Sequence, residues 1–307
     1  MAGVESGGFG NDERAILRRL ELQVSRRLDG LLHGDHRGLV PGHGTELGET
    51  RTYAPGDDVR RIDWNVTARL TDPHIRQTIA ERELQTWLVV DHSPRLDFGT
   101  VNAEKRELVL SAAAAVGFLT QQDGNRIGAV LAGEVSPRII PPRGSRRHLM
   151  RILHAIATAE RPDGSGVTDL TPAITRAEAV DRRRGLLVVI SDFMVAPGWL
   201  PPLRAAAQRH DVLAIQLTDP RDFELPDVGL VVLRDPATGA EREVATNRRS
   251  VREAFAAAAA AKQEELARSL RAGRIDHLVL STGRPWLDDL VRFVAGRRHR
   301  LNALAGR

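Results

Sequence analysis

The sequence predicts an α/β protein built on a doubly wound, mostly parallel sheet with helices on both faces, preceded by an N-terminal helix and a charged segment. Two observations point to this fold class. From residue 84 onward, short apolar stretches alternate with stretches of helical length and periodicity. Two of the apolar stretches, LQTWLVVD and GLLVVISD, lack polar alternation and end in Asp, which is typical of parallel strands buried on both faces.

The first elements follow from periodicity and turn residues. Residues 1–10 are rich in Gly and are predicted to be disordered. DERAILRRLELQVSRRLDGLL predicts an amphipathic helix, because its apolar residues have helical spacing. These residues are Ile16, Leu20, Val24, Leu28 and Leu31. After LQTWLVVD, AEKRELVLSAAAAVGFLTQQ predicts a helix that ends at Asp123-Gly124. RIGAVLAG and VSPRIIPP predict a hairpin, and RRHLMRILHAIATAE predicts a further helix.

The second half of the chain repeats the alternation. A helix at 199–209 separates the strands GLLVVISDF and DVLAIQLTDP, and GLVVLRDPATGAEREVAT predicts a hairpin with its turn near Thr238-Gly239. A long Ala-rich helix at 249–273, the strand HLVLSTG and a helix from Pro285 complete the series. We therefore divide the chain into a disordered start (1–10), an N-terminal helix with a charged cassette (11–82), the sheet domain (83–296) and a basic tail (297–307).

Composition excludes several classes of protein. The chain has no Cys, which excludes disulfides, thiolate nucleophiles and Cys-based zinc sites. No apolar stretch approaches the roughly 20 residues of a membrane-spanning helix, and the start lacks a secretory signal. We therefore expect a cytoplasmic protein without an integral membrane segment. Of the 44 basic residues only Lys105 and Lys262 are Lys, and the net charge is +4. Because the Arg residues are spread along the chain, we expect no nucleic-acid partner.

Polar residues follow the predicted strands. Asp91 and Asp192 each end a buried strand, Ser93 lies two residues after Asp91, and Thr168 lies in a Gly-rich loop before a helix. In doubly wound sheets the ligand site lies beyond the carboxyl ends of the strands, so these side chains are expected to meet at one edge. Carboxylate and hydroxyl oxygens are the ligands that Mg²⁺ prefers. The pattern is therefore compatible with a magnesium site.

The same residues resemble the metal-ion-dependent adhesion site of von Willebrand factor A domains. That site uses Asp-x-Ser-x-Ser after the first strand, a later Thr and a further Asp, and the resemblance assigns these positions to Asp91, Ser93, Thr168 and Asp192. Arg95 replaces the second Ser, and a guanidinium about 4 Å from Mg²⁺ would cost roughly 8 kcal/mol at an effective dielectric constant of 20. Two alternatives follow: Arg95 extends into solvent, or it pairs with the two carboxylates in place of a metal.

Two residues beside the predicted metal ligands are expected to contact a partner. They are Arg95 and Asp169, which directly follows Thr168. An Arg–carboxylate pair is planar and bidentate, so Arg95 could bind a partner's carboxylate even without a cation.

The stretch RTYAPGDDVRRIDWNVTARL combines acids, arginines and aromatic residues. Pro55-Gly56 predicts a turn, and Asp57 or Asp58 can cap a short helix. Four apolar residues then share a helical face that should dock on the sheet domain, with Asp63 and the arginines on the remaining surface. These residues are Val59, Ile62, Val66 and Leu70. The mixed charges favour neutralised ion pairs over acid–base catalysis, and the acids disfavour phosphate binding.

This stretch resembles the signature of the bacterial DUF58 family, a domain of unknown function. The matching positions are Arg51, Tyr53, Pro55, Gly56, Asp57, Asp58, Arg60, Ile62, Asp63, Trp64, Ala68 and Arg69. VVDHSPRLDFG and TDPRDFELPDVG are similar to the same family. The resemblance implies a von Willebrand A-like second part and, because such genes commonly neighbour one for a MoxR-type AAA+ ATPase, a role beside that ATPase.

The leading hypothesis is a non-enzymatic adaptor that acts with a MoxR-type AAA+ ATPase in chaperone-like assembly or maturation of other proteins. It would bind them through a degenerate metal-ion-dependent adhesion site, with Mg²⁺ as the possible cofactor. The alternative is a metal-dependent phosphoester hydrolase that uses the same acidic edge. The hydrolase is disfavoured because the strand-end stretches contain no His or Lys that could act as a base except His92. The side chain of His92 should point away from that of Asp91, since neighbouring residues of a strand face opposite sides.

Overall fold

The structure is a computed structural model. It describes residues 18–20, 22, 50–54, 59, 62–69, 72–76, 84–120, 125–133, 137–159, 168–180, 184–235 and 238–305. The predicted disorder of residues 1–10 lies outside this part of the chain, as do five signature residues. These are Pro55, Gly56, Asp57, Asp58 and Arg60.

The elements alternate along the chain as predicted. The strands are β1 (Thr50–Thr52), β2 (His74–Arg76), β3 (Gln85–Asp91), β4 (Arg126–Ala132), β5 (Arg138–Arg143), β6 (Leu186–Ser191), β7 (Asp211–Thr218), β8 (Leu230–Arg234), β9 (Glu241–Ala245) and β10 (Asp276–Ser281). The helices are α1 (Trp64–Thr67), α2 (Lys105–Thr120), α3 (Arg146–Ala157), α4 (Thr171–Val180), α5 (Leu200–Ala206), α6 (Arg249–Ala272) and α7 (Trp286–Ala305).

The central sheet has six strands in the order β10-β7-β6-β3-β4-β5. All neighbouring pairs are parallel except β4 with the edge strand β5, which form the predicted antiparallel hairpin. Numbered by their own succession, the strands lie in the doubly wound order 3-2-1-4-5-6. The order reverses between β3 and β6, where a ligand crevice opens at the carboxyl ends of the strands. The predicted von Willebrand A-like, Rossmann-like fold class is confirmed.

Both faces of the sheet are covered by helices, which explains why its inner strands are apolar throughout. One core cluster joins alternate strand residues such as Leu88 to α2, α3 and α7, and it includes Leu20 of the N-terminal helical residues. A second cluster joins the intervening strand residues such as Val89 to α4, α5 and α6. Because successive strand residues point to opposite faces, a strand between two helical layers needs apolar residues at every position.

The charged cassette differs from its prediction. The predicted helical face is wrong at Val59, which is exposed, and the described helix is the single turn α1; Leu70 lies outside the described residues. The chain instead forms a small sheet, because β1 pairs antiparallel with β2 and Ile62 bridges to Ile75. Asp63 is buried rather than on the surface, and its carboxylate accepts the backbone N–H of Val66 at the start of α1.

Three other signature residues lie at different depths. Tyr53 is half-buried and donates its backbone N–H to Pro73, whereas Trp64 and Arg69 are exposed. The backbone of Arg51 lies in β1. The cassette therefore exposes a Trp side chain instead of burying it.

The predicted basic tail, residues 297–307, begins within the last helix. The last helix, α7, continues to Ala305. Arg297, the first residue of the predicted tail, is buried and pairs with Asp276 of β10 at 2.8 Å. Within the described residues, no helix is both long enough and apolar enough to cross a membrane.

Candidate functional site at the strand ends

Asp91 is the last residue of β3 and lies fully buried at the point where the strand order reverses. One carboxylate oxygen accepts the backbone N–H of Ser93 at 2.9 Å. The other accepts the hydroxyl of Ser191, the last residue of the neighbouring strand β6, at 2.5 Å. The carboxylate is therefore held in place by groups from both central strands.

Asp192 follows β6 and is also buried. Its carboxylate accepts the backbone N–H of Met194 at 2.9 Å. Phe193, between them, has φ of 57°, a left-handed conformation that is uncommon for a bulky residue. Its ring packs on Trp199 with the ring centroids 4.9 Å apart. Strained backbone of this kind concentrates at functional sites, and here it forms the turn that places the Asp192 carboxylate.

Thr168 reaches the same edge from the loop before α4. Its backbone oxygen accepts the N–H of Ala196, which joins this loop to the segment after Asp192. The hydroxyl oxygens of Thr168 and Ser93 are both buried, and neither has a hydrogen-bond partner of good geometry in the described part of the chain. Buried polar groups are nearly always paired. The hydroxyls of Ser93 and Thr168 are therefore groups that a ligand bound at this edge could pair.

The electrostatics of Asp91 fit the same conclusion. Burial and, second to it, the nearby charge of Asp192 together raise the pKa of its carboxyl from 3.8 to about 6, although the hydrogen bonds from Ser191 and Ser93 lower it. Desolvation and a like charge both disfavour the ionised form. A cation bound there would favour the ionised carboxylate of Asp91 and so oppose both effects.

A lysine that the sequence did not single out already provides one positive charge. Lys105, the first residue of α2, has only 2% of its side chain exposed. Its ammonium lies 3.6 Å from Asp192 and 2.8 Å from Asp222. Asp222 lies in the short 3₁₀ helix Pro220–Asp222 after β7, and it also accepts the backbone N–H of Asp219. Lys105 thus places one positive charge beside Asp192 and Asp222.

Arg106 braces the loop that carries Ser93. Its guanidinium pairs with Asp97, donates to the backbone oxygen of Ser93 at 3.3 Å and contacts Nδ1 of His92 at 2.9 Å. His92 is buried and engaged by this guanidinium. The loop is therefore held rigidly against the start of α2.

The two residues expected to contact a partner have local contacts in this structure. Arg95 is one-quarter exposed and lies 3.9 Å from Asp235, at the end of β8. Arg95 thus pairs with the β8–β9 hairpin. The alternative in which Arg95 pairs with Asp91 and Asp192 is wrong for the described residues. Asp169 is half-buried, and its carboxylate accepts the backbone N–H of Thr171 at the start of α4.

Sequence reasoning placed Ser191 at this edge together with Asp192, but it missed Lys105 and Asp222. Lys105 begins the helix that follows β3, but its two partners, Asp192 and Asp222, lie far from it along the chain, so the contacts depend on how α2 packs on the sheet. One signal was available: Lys105 is one of two Lys among 44 basic residues. Asp222 lies in TDPRDF, directly after a predicted strand, so the carboxyl-end rule could have included it.

The residues present fit a divalent cation of the magnesium type. Asp91, Asp192, Ser93 and Thr168 offer four oxygen groups, two of them hydroxyls without a partner. Lys105 makes its shorter contact with Asp222, at 2.8 Å, and its longer one with Asp192, at 3.6 Å. The donor set is therefore suited to a hard cation that retains some of its water.

Comparison with known proteins adds the following. The protein Rv1480 of Mycobacterium tuberculosis is 53% identical over 292 residues, which cover 95% of this chain and 91% of that protein. A protein of Paracoccus denitrificans, described by its place in the moxR 3′ region, is 40% identical over 74 residues, which cover 24% of this chain and 70% of that protein. The crystal structure of the SpRpn10 VWA domain is 12% identical with a TM-score of 0.37, and the match covers 68% of this chain and 94% of that one.

The family model described as "Protein of unknown function DUF58" matches residues 49–265. This range contains the charged cassette, all the strands of the central sheet except β10, and every residue of the strand-end site. The chain belongs to the DUF58 family.

Proposed function

We propose that this protein is a non-enzymatic adaptor that binds a carboxylate of a partner protein at the strand-end site, with the help of a divalent cation. The observation that carries the proposal is the pair of buried hydroxyls of Ser93 and Thr168, which have no hydrogen-bond partner in the described part of the chain. They lie beside a carboxylate, that of Asp91, whose charged form is disfavoured in the absence of a cation.

Each residue has a separate task in this proposal. Asp91 and Asp192 would supply charge, and Ser93 and Thr168 neutral oxygens. Bound Mg²⁺ would supply an open coordination position for the partner's carboxylate oxygen. Ser191 and the Ser93 backbone fix the Asp91 carboxylate, so little reorganisation is needed on binding.

The partner that we propose is a MoxR-type AAA+ ATPase, which the adaptor would assist in the assembly or maturation of other proteins. The supporting observation is the relative from Paracoccus denitrificans, described as lying in the moxR 3′ region. A binding role rather than hydrolysis is supported by the bases nearest the site. His92 is engaged by Arg106, and Lys105 is buried between two carboxylates.

The proposal is tested by binding of the full chain to a purified MoxR-type ATPase from the same organism, measured by biolayer interferometry with Mg²⁺ and with EDTA. We expect binding that requires Mg²⁺ and is lost in Asp91→Asn. The matched control is Asp211→Asn, at the opposite end of the sheet in β7, which should bind like the wild type. Binding that ignores both EDTA and Asp91→Asn would contradict the proposal.

A phosphatase screen with Mg²⁺ and Mn²⁺ tests the hydrolase alternative. Turnover of a generic phosphoester that disappears in Asp192→Ala would overturn the adaptor function.

A further inference from the structure

Strand β8 has an outer edge that no other strand of the described residues covers. It pairs with β9 in a two-stranded sheet separate from the central sheet. Its sequence, LVVLR, is apolar at four successive positions, and Leu230 and Val232 are 64% and 57% exposed. Val228, just before the strand, is also exposed. Long apolar strand edges are unusual in isolated proteins because they pair with other chains.

The hydrogen bonds at the two ends of the hairpin show which backbone groups face outward. Thr246 donates its N–H to Gly229, and Asp235 donates its N–H to Ala240. In an antiparallel pair, residues that bond the partner strand alternate with residues that do not. In the register observed, with Leu230 opposite Ala245, the odd-numbered residues of β8 bond to β9. The backbone N–H and C=O groups of Leu230, Val232 and Arg234 therefore point away from β9.

The two edges of this hairpin differ in a way that selects one of them. Glu241 and Glu243 occupy the outward-facing positions of β9, and charged residues at an edge oppose the addition of another strand. The matching positions of β8 carry Leu230, Val232 and Arg234. The β8 edge thus has the free hydrogen-bonding groups and the apolar side chains that strand addition requires.

The hairpin contacts the rest of the chain at both ends. At its base, Arg252 of α6 pairs with Asp227 at 3.0 Å and donates to the backbone oxygen of Thr246. At the other end, Asp235 makes a long contact of 3.9 Å with Arg95 of the strand-end loop. The base of the hairpin is therefore anchored on α6, and its other end lies next to the strand-end loop.

We propose that the β8 edge binds an extended segment of a partner protein as an added strand. The segment is apolar at alternate positions and carries an acidic residue beside Arg234. The acidic residue is inferred from charge: Arg234 is exposed and makes no ion pair within the described residues, although Glu241 lies across from it on β9. The inference rests on the proposed adaptor function, for which it supplies a second contact with the same partner.

The test uses a fluorescein-labelled peptide, Asp-Thr-Val-Thr-Val-Thr-Asp, whose Val and Asp side chains share one face, so that an acid lies beside Arg234 in either strand direction when the Val residues lie beside Leu230 and Val232. Fluorescence anisotropy is measured with the full chain in EDTA, so that the result does not depend on the cation site. We expect saturable binding below about 1 mM. A peptide N-methylated at both Val residues, which in an antiparallel pair cannot donate to Leu230 and Val232, should bind at least about tenfold more weakly. A peptide with Lys at both ends should also bind more weakly.

Protein variants locate the binding edge. Val232→Pro removes an outward N–H that β9 does not use, and Pro is tolerated at such edge positions. It should weaken binding at least about tenfold, since one backbone hydrogen bond and a side-chain contact are lost. Val232→Lys is a second variant that keeps the backbone intact. Arg234→Gln should weaken binding of the Asp-ended peptide by about three- to tenfold and leave the Lys-ended peptide unaffected.

Several results would overturn the inference. These are no binding at about 1 mM peptide, equal binding of the N-methylated peptide, and binding that survives both substitutions at position 232. A concentration-dependent dimer in sedimentation experiments that Val232→Lys abolishes would show that a second copy of the chain occupies the edge instead. Loss of Mg²⁺-dependent ATPase binding with intact peptide binding would refute the adaptor site alone.

Discussion

Replacing Lys105 by Met tests the charge balance of the strand-end site most severely. The ammonium lies 2.8 Å from Asp222 and 3.6 Å from Asp192. At an effective dielectric constant of 20, these distances correspond to about 6 and about 5 kcal/mol of attraction. Burial of the ammonium offsets several kcal/mol of this sum. Because the substitution leaves the buried carboxylate of Asp192 and the partly buried one of Asp222 without their cation, we expect the free energy of unfolding to fall by about 3–5 kcal/mol.

The measurement is urea unfolding at pH 7, followed by circular dichroism and fitted with a common slope. The other lysine of the chain provides a matched control, because Lys262 is exposed on α6. Lys262→Met should change the free energy of unfolding by less than about 0.5 kcal/mol. A loss below about 1 kcal/mol in Lys105→Met would show that its contacts with the two carboxylates are weak, and the electrostatic account of the site would fail.

Three further predictions concern the same edge. Burial and the charge of Asp192 raise the pKa of Asp91 to about 6, so the stability contributed by its protonated form is present below pH 3.8 and is lost as the pH rises through 6. The free energy of unfolding of Asp91→Asn should therefore rise by about 3 kcal/mol relative to that of the wild type between pH 3.8 and 7. Urea titrations measure this difference, and a difference that stays constant with pH would contradict the prediction. Burial opposes ionisation of Asp219, but hydrogen bonds from Thr100 and Thr282 hold its pKa below the usual value. Thr282→Val should thus cost about 1.5–3 kcal/mol at pH 7, a loss that fades as the pH falls below 3.8, whereas an equal loss at pH 3 would refute it. Arg95→Ser should change stability by less than about 1 kcal/mol, because its contact with Asp235 is long and partly exposed, yet calorimetry should show tighter Mg²⁺ binding; unchanged binding would mean that Arg95 does not oppose the cation.

The sheet could be predicted from sequence because its strands carry a strong local signal. LQTWLVVD and GLLVVISD are mostly apolar with no polar alternation, and both form inner strands, β3 and β6. Their carboxyl ends then had to meet at the reversal of strand order. Asp91 and Asp192 were found by this rule without any knowledge of packing.

The cassette and Lys105 could not be predicted in the same way. The apolar residues between Val59 and Leu70 have helical spacing, but pairing of β1 with β2 and the bridge from Ile62 to Ile75 outweighed local helix propensity there. The position of Lys105 depends on how α2 packs on the sheet, and this contact between distant residues leaves no periodic pattern in the sequence. The raised pKa of Asp91 has the same origin, since it depends on burial and on a neighbour 101 positions away along the chain.

The central claim is that the strand ends hold a divalent cation, and the most direct measurement is electron paramagnetic resonance of Mn²⁺ titrated into the full chain. We predict one bound Mn²⁺ per chain, displaced by excess Mg²⁺, and its loss in Asp91→Asn and in the double variant Ser93→Ala, Thr168→Val. A spectrum of free Mn²⁺ alone at millimolar concentration, or equal binding by wild type and both variants, would contradict the account.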